Sequence, residues 1–138
     1  MLDNSTDLWP ADFAILSDKP PIAILREQAA ALGRRTQNVL EGEVRTDTTP
    51  NGSFRHRFFI KSPALDGYRY LLFVVKHEVF PYPVRISSSD FDDDLEGIGE
   101  FQPTICHSQA ELEAEMRTFL AAEPTKKIVG SLLQMSVA

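Results

Sequence analysis

The first regular pattern in the chain is a run of apolar residues at helical spacing. Pro21 suits the first position of a helix, because proline has no backbone N–H to leave unpaired there, and Gly33 suits the end of one. The apolar residues between them follow the helical period: Ile22, Leu25, Ala29 and Leu32. The pattern predicts a helix over residues 21–34, preceded by an irregular N-terminal arm over residues 1–20.

Apolar and polar residues then alternate, which predicts β-strands over residues 38–88. The first two runs, residues 38–46 and 53–61, flank a turn that contains Asn51-Gly52, a pair typical of a β-hairpin. The outer face of this hairpin is predicted to set acidic residues across from basic ones: Glu41 and Glu43 across from Arg55 and Arg57.

The longest predicted strand covers about residues 68–79 and is apolar on both faces from Leu71 to Val75. Such a strand must be covered on both faces, by helices, by the N-terminal arm or by a second subunit. Homodimerisation through the second face of this strand is therefore one hypothesis. A short fourth strand over residues 84–87 is predicted at the edge of the sheet, where the nearby prolines are tolerated.

The last part of the chain is predicted to be helical after a loop over residues 89–107. Ser108 and Glu111 form a capping-box pair, and two helices are expected over residues 108–138. The connections between the strands are too short for crossover helices, so an antiparallel sheet is expected. The predicted fold is a single α+β domain over residues 1–138, with one helix, a four-stranded antiparallel meander and two C-terminal helices.

Composition and charge exclude several functional classes. With 138 residues, 43% of them hydrophobic and 25% charged, the chain is expected to be globular and not disordered. Its net charge of −6 disfavours nucleic acid and anionic membranes as partners and favours a basic partner. One cysteine cannot form an internal disulfide, no apolar run is long enough to span a membrane, and Asp3 and Asp7 oppose a signal peptide. A cytoplasmic location is therefore expected.

The predicted loop contains a dense cluster of carboxylates: Asp90, Asp92, Asp93, Asp94 and Glu96. Carboxylates at alternate positions are typical of the start of a calcium-binding EF-hand loop, but the glycine and glutamate that such a loop needs are replaced by Leu95 and Phe101. No metal and no cofactor are therefore predicted. The cluster is interpreted as a solvated loop that can also dock a basic protein partner through charge complementarity.

Cys106 and His107 are the candidates for catalytic residues, because a neighbouring imidazole and a helix N-terminus both favour the reactive thiolate. Adjacent side chains diverge, however, and no oriented base can be assigned, so a partly buried structural cysteine is the preferred interpretation. His56 and His77 lie on neighbouring predicted strands and can approach one another. Without a third ligand they do not predict a zinc site, and His56 is expected to be a hydrogen-bonded residue at the core edge.

The N-terminal arm carries Trp9 and Phe13 in a polar context, and their large apolar area must be buried somewhere. The arm is expected either to pack over the chain's own sheet or to anchor a protein partner or second subunit. A third possibility is a small-ligand site, for which Phe58, Tyr68 and Tyr70 are the candidate lining residues.

A basic strip on the second predicted strand is the feature that could bind nucleic acid. Its cations could follow phosphates while its aromatic ring stacks on a base. The strip consists of Arg55, Arg57, Phe59 and Lys61. Glu41 and Glu43 are expected to neutralise it, so nucleic acid is not the predicted partner.

The order of elements, together with one turn, resembles a known fold. The helix, the meander and the turn Phe80-Pro81-Tyr82-Pro83 resemble the layout of RWD domains and of ubiquitin-conjugating enzymes over residues 22–88. Cys106 follows Tyr82 by 24 positions, roughly where the conjugating enzymes carry their catalytic cysteine. The His-Pro-Asn motif that precedes that cysteine in those enzymes is absent here. The resemblance implies a non-catalytic, RWD-like binding module, or a conjugating-like enzyme if Cys106 is the nucleophile.

Together these patterns predict a small non-enzymatic interaction protein of the adaptor, immunity-protein or antitoxin kind. The carboxylates from Asp90 to Glu96 would steer a basic protein partner, and Trp9 or Phe13 would anchor it. Two alternatives stay open: an enzyme that uses Cys106 as its nucleophile, and a small-ligand binder.

Overall fold

Three helices and five strands make up residues 7–88 and 103–138, which are the residues that the computed structural model describes. The helices are α1 (Pro21–Arg35), α2 (Gln109–Ala121) and α3 (Glu123–Ser136). The strands are β1 (Glu41–Thr48), β2 (Phe54–Ser62), β3 (Tyr68–His77), β4 (Val84–Ser88) and β5 (Thr104–Cys106). A 3-10 turn, Pro63–Leu65, joins β2 to β3. The predicted α+β class and element order are confirmed, with five strands in place of four.

The five strands form one antiparallel sheet in chain order. β5 pairs with β4 and places Cys106 opposite Val84 and Thr104 opposite Ile86. The prediction that the fourth strand lies at the edge of the sheet is therefore wrong, because β5 covers that edge. A strand of three residues contains too little alternation to be recognised in the sequence.

The hydrophobic core lies between the helices and one face of the sheet. α1 crosses β1 at Gly42, where a Cβ atom would lie 2.3 Å from the Cα of Ala29. Buried side chains from all three helices meet those of four strands. The helices contribute Ile24, Leu25, Leu112, Met116 and Leu132, and the strands contribute Phe58, Ile60, Leu72, Phe73, Val75, Val84, Ile86 and Cys106.

The first helix continues beyond its predicted end. Gly33 lies buried inside α1, and Thr36 follows the helix, with its hydroxyl donating to a carbonyl of the last turn at 2.9 Å. Gln37 and Asn38 then adopt the left-handed conformation, with φ of 50° and 65°. Because these two residues are not extended, β1 begins at Glu41 and not at residue 38.

The hairpin of β1 and β2 forms as predicted, but its cross-strand charge pairs differ because β1 ends two residues later than predicted. Asp47, and not Glu41 or Glu43, accepts two hydrogen bonds from Arg55, at 2.7 and 2.9 Å. Arg57 lies 3.4 Å from the same carboxylate. The hydrogen bonds from Arg55 lower the pKa of Asp47. The two arginines of the basic strip are therefore ion-paired within the sheet.

The centre of β3 is buried on both faces, as its apolar run predicts. Leu72, Phe73, Val74 and Val75 are each less than a tenth exposed. The pairing of β3 with β2 shifts register between Phe58 and Phe59 of β2, which gives β3 one additional residue at this point. Leu72 and Phe73 consequently both belong to the core cluster, although they are adjacent in the strand.

The first of the two C-terminal helices begins where the sequence marks a helix start. Ser108 accepts a hydrogen bond from the N–H of Glu111 at 3.2 Å, which confirms the predicted cap of α2. Pro124 lies in the first turn of α3, where proline is tolerated. Within the described ranges, no helix combines the length and the apolar character that crossing a membrane requires.

Candidate functional site

The arm before α1 leaves its apolar side chains in solvent. All of residues 7–18 are exposed, and the exposed fraction of the residue's surface is 76% for Trp9 and 66% for Phe13. Leu8 and Ile15 are also exposed, and the rings of Trp9 and Phe13 contact each other with centroids 5.9 Å apart. The expectation that the arm packs over the chain's own sheet is therefore wrong. Its aromatic residues are free to meet another molecule.

Hydrogen bonds fix the base of the arm against the domain. The N–H of Lys19 donates to the side-chain oxygen of Gln109 at 2.8 Å, and the hydroxyl of Tyr82 donates to the carbonyl of Lys19 at 2.7 Å. The N–H of Gln109 donates to Asp18 at 3.1 Å, and the ammonium of Lys19 lies 2.7 Å from Glu27. The base of the arm, at Asp18 and Lys19, is therefore held at a defined position beside the first residues of α1 and α2.

Tyr82 belongs to the turn between β3 and β4 and joins that turn to the arm. Burial, with Asp18 and Glu113 nearby, raises the pKa of Tyr82 to about 12, so the phenol stays protonated and donates its hydrogen bond. The same turn exposes Val79 and Phe80. The arm and this turn are joined by the hydrogen bond between Tyr82 and Lys19, and both of them expose apolar side chains.

Cys106 and His107 face different surroundings. Cys106 is 2% exposed and belongs to the core, whereas His107 is exposed. Burial, with Glu115 and Glu111 nearby, raises the pKa of the Cys106 thiol to about 11, opposite to the direction that a reactive thiolate needs. The N–H of His107 donates to Glu111 at 2.8 Å and so belongs to the cap of α2. The expectation that Cys106 is at least partly buried is confirmed.

His56 and His77 meet, as their positions on neighbouring strands predict. Their Nε2 atoms lie 2.8 Å apart, and the Nδ1 atom of His56 lies 2.8 Å from the hydroxyl of Thr46. His56 is buried, so the expectation of a hydrogen-bonded histidine at the core edge is confirmed. Over residues 7–88 and 103–138, no group of three or more potential metal ligands comes together.

The three aromatic residues proposed to line a ligand site do not share one cavity. Tyr68 and Tyr70 line a cleft of about 570 Å³ beside α3. Phe58 is buried in the core instead, where its ring stacks on Phe73 with centroids 5.1 Å apart. Alternation along β2 and β3 indicates which face each residue occupies, but not how far apart the residues lie along that face.

Of the residues predicted to bind a partner, the structure describes Trp9 and Phe13. The acidic cluster lies outside the described residues: Asp90, Asp92, Asp93, Asp94 and Glu96. The base of the arm was not predicted, because no local pattern shows that Lys19 contacts a residue 90 positions away. The sequence marks Tyr82 only as part of a turn.

No protein-family model, curated protein or solved structure matches this chain. The basis for a functional assignment is therefore the geometry of the arm, its base and the neighbouring surfaces.

Proposed function

We propose that this chain is a non-enzymatic, cytoplasmic protein-binding module that docks on its partner through the N-terminal arm. The observation that supports the proposal is the exposure of Trp9 and Phe13 on a segment whose base is held by hydrogen bonds. Aromatic side chains bury a large area when they enter a partner's pocket, and they are typical anchors of protein interfaces.

The charges on the arm indicate the chemistry of the partner. Asp7, Asp12 and Asp18 are interspersed among the apolar residues of the arm, and the whole chain has a net charge of −6. The fitting partner is a protein with an apolar groove bordered by lysine and arginine residues. Charge complementarity of this kind accelerates the encounter and excludes acidic competitors. The carboxylates of residues 90–96 contribute to the same net charge.

The fixed base of the arm also favours binding. A segment that is free along its whole length loses more conformational entropy on docking than one whose end is already held. The contacts of Lys19 with Gln109 and Tyr82 hold that end before any partner is present. Thiol catalysis has less support than docking, because Cys106 is buried and the pKa of its thiol is raised.

The test is capture of partners from an extract of the source cells with C-terminally tagged protein. It compares the wild type with the double variant Trp9→Ala/Phe13→Ala and with Ile105→Ala, a control that removes a 55% exposed side chain from β5. We expect a stoichiometric basic partner with the wild type and the control, and its loss with the double variant. Equal midpoints of thermal unfolding for the wild type and the two variants would exclude misfolding as the cause of a lost interaction. Retention of the same proteins by the double variant would overturn the proposal.

A further inference from the structure

A second surface, independent of the arm, is the cleft between α3 and the start of β3. Its volume of about 570 Å³ lies within the range of small-molecule sites, roughly 300–1,000 Å³. The lining is mainly apolar, and its apolar and aromatic residues are Leu65, Tyr68, Tyr70, Ile128, Leu132 and Met135. The three residues from α3 recur at helical spacing, so one face of this helix forms a continuous apolar wall.

The walls of the cleft are held in position by core packing and by a hydrogen bond between α3 and β2. Leu132 is buried in the core, and the hydroxyl groups of Ser62 and Ser136 lie 2.6 Å apart, which joins the end of α3 to the end of β2. Tyr68 and Met135 are about half exposed and lie at the opening. An apolar ligand could therefore enter without opening the core.

Lys127 is the feature that selects among apolar ligands. It is the one charged residue among the described residues that line the cleft. Its neighbour Lys126 lies 3.3 Å from Glu123, but no carboxylate within residues 7–88 and 103–138 pairs with Lys127. A cation at the end of an apolar cleft is complementary to a ligand with an apolar chain and one anionic group.

We propose that this cleft binds an amphipathic carboxylate, with its chain against α3 and its carboxylate on Lys127. Ser131 also lines the cleft, and its side chain carries a second hydrogen-bond donor on the same helix. From Lys127 to Met135, α3 rises about 12 Å, a length that suits a medium-chain fatty acid. This inference does not rest on the function proposed for the arm.

The test is an NMR titration with sodium octanoate and with 1-octanol, which share an alkyl chain and differ in charge. We expect saturable octanoate binding that shifts the methyl resonances of Ile128 and Met135. Lys127→Ala should weaken octanoate binding about tenfold, the effect of losing a charge-assisted hydrogen bond, and leave octanol binding nearly unchanged. Lys126→Ala is the matched control and should leave both affinities unchanged. Met135→Glu, at a half-exposed position, should weaken both ligands.

Three outcomes would overturn the proposal. The first is the absence of saturable octanoate binding, and the second is an equal effect of Lys127→Ala and Lys126→Ala. The third is a dimeric mass in light scattering that Met135→Glu converts to a monomeric one, since a second copy would then occupy the cleft. The variant Trp9→Ala/Phe13→Ala should bind octanoate like the wild type. That result separates failure of this site from failure of the arm.

Discussion

The rings of His56 and His77 are joined by a hydrogen bond of 2.8 Å between their Nε2 atoms. Its direction follows from the groups at the two ends. The carbonyl of Glu78, 2.6 Å from Nδ1 of His77, can only accept, so that nitrogen carries a hydrogen. In the neutral state, Nε2 of His77 therefore accepts from His56, and Nδ1 of His56 accepts from the hydroxyl of Thr46. All four ring nitrogens are paired without any charge.

This pair should make the fold sensitive to mild acid. Burial, with smaller contributions from His77 and Arg26, lowers the pKa of His56 to about 4, and Asp47 opposes the shift. The unfolded chain, with a histidine pKa near 6.5, binds the proton first. The free energy of unfolding should therefore fall by about 2 kcal/mol between pH 6.5 and pH 4, after allowance for solvent screening.

Urea unfolding at several pH values measures this effect. The variant His56→Gln keeps a donor and an acceptor but cannot be protonated, so it should lose less stability over the same interval. His107→Gln is the control, because His107 is exposed. If the free energy of unfolding falls as steeply with decreasing pH in His56→Gln as in the wild type, groups other than His56 cause the loss.

The approach of the two histidines could be predicted, because alternation places them on the same face of neighbouring strands. Their hydrogen bond could not, since it depends on register. The pairing of β2 with β3, which sets Phe54 opposite His77 and His56 opposite Val75, is not visible in alternation alone. The sequence pattern also ends β1 two residues too early. It sets Glu41 and Glu43 across from Arg55 and Arg57, whereas the structure pairs Arg55 with Asp47.

Local patterns could predict α1, the cap at Ser108 and the apolar run of β3, because each depends on residues close in sequence. The base of the arm depends on contacts of Lys19 with Gln109 and Tyr82, which are distant in the chain. The position of Lys127 in a cleft likewise depends on how α3 packs against β3. Only the folded chain brings these groups together.

Among the glycines that the structure describes, Gly42 should be the one at which a methyl group is least tolerated. A Cβ atom there would lie 2.3 Å from the Cα of Ala29, and backbone cannot move aside as a flexible side chain can. Gly42→Ala should lower the free energy of unfolding by about 1–3 kcal/mol, the range for overpacking. Chemical denaturation with unchanged cooperativity measures the loss.

Gly130 provides the control for that substitution. It lies inside α3, and a Cβ atom there would meet nothing within 4 Å. Gly130→Ala should therefore raise stability by up to about 1 kcal/mol, because alanine is the better helix former. Equal effects at the two positions would contradict the close packing of α1 on β1.

Cys106 should react slowly with thiol reagents in the native protein. The thiol is buried, and its pKa of about 11 leaves little thiolate near neutral pH. Alkylation by iodoacetamide at pH 7.5 should therefore follow the unfolded fraction as urea is added. Native protein that reacts as fast as the unfolded chain would reopen the alternative of thiol catalysis.

Trp9 is the single tryptophan, so fluorescence reports on the arm alone. Because Trp9 is 76% exposed, acrylamide should quench its emission nearly as well in the native protein as in urea. Deletion of residues 7–16, all of which are exposed, should change the free energy of unfolding by less than about 0.5 kcal/mol, as for surface residues away from the core. Quenching that is weak in the native state and strong in urea would show that the arm is buried after all.

Tyr82→Phe should loosen the arm without displacing the core. The substitution removes the hydrogen bond of 2.7 Å to the carbonyl of Lys19 and keeps the ring. The loss in stability should be about 1 kcal/mol, the net value of one hydrogen bond. Greater motion at the base should speed the decay of Trp9 fluorescence anisotropy. It should also weaken partner binding, because the arm then has more conformational freedom to lose on docking.

The control for this substitution is Tyr68→Phe, at the half-exposed opening of the cleft. It should change neither the decay of Trp9 anisotropy nor partner binding. If Tyr82→Phe and Tyr68→Phe give the same anisotropy decay, the hydrogen bond to Lys19 does not hold the arm in solution.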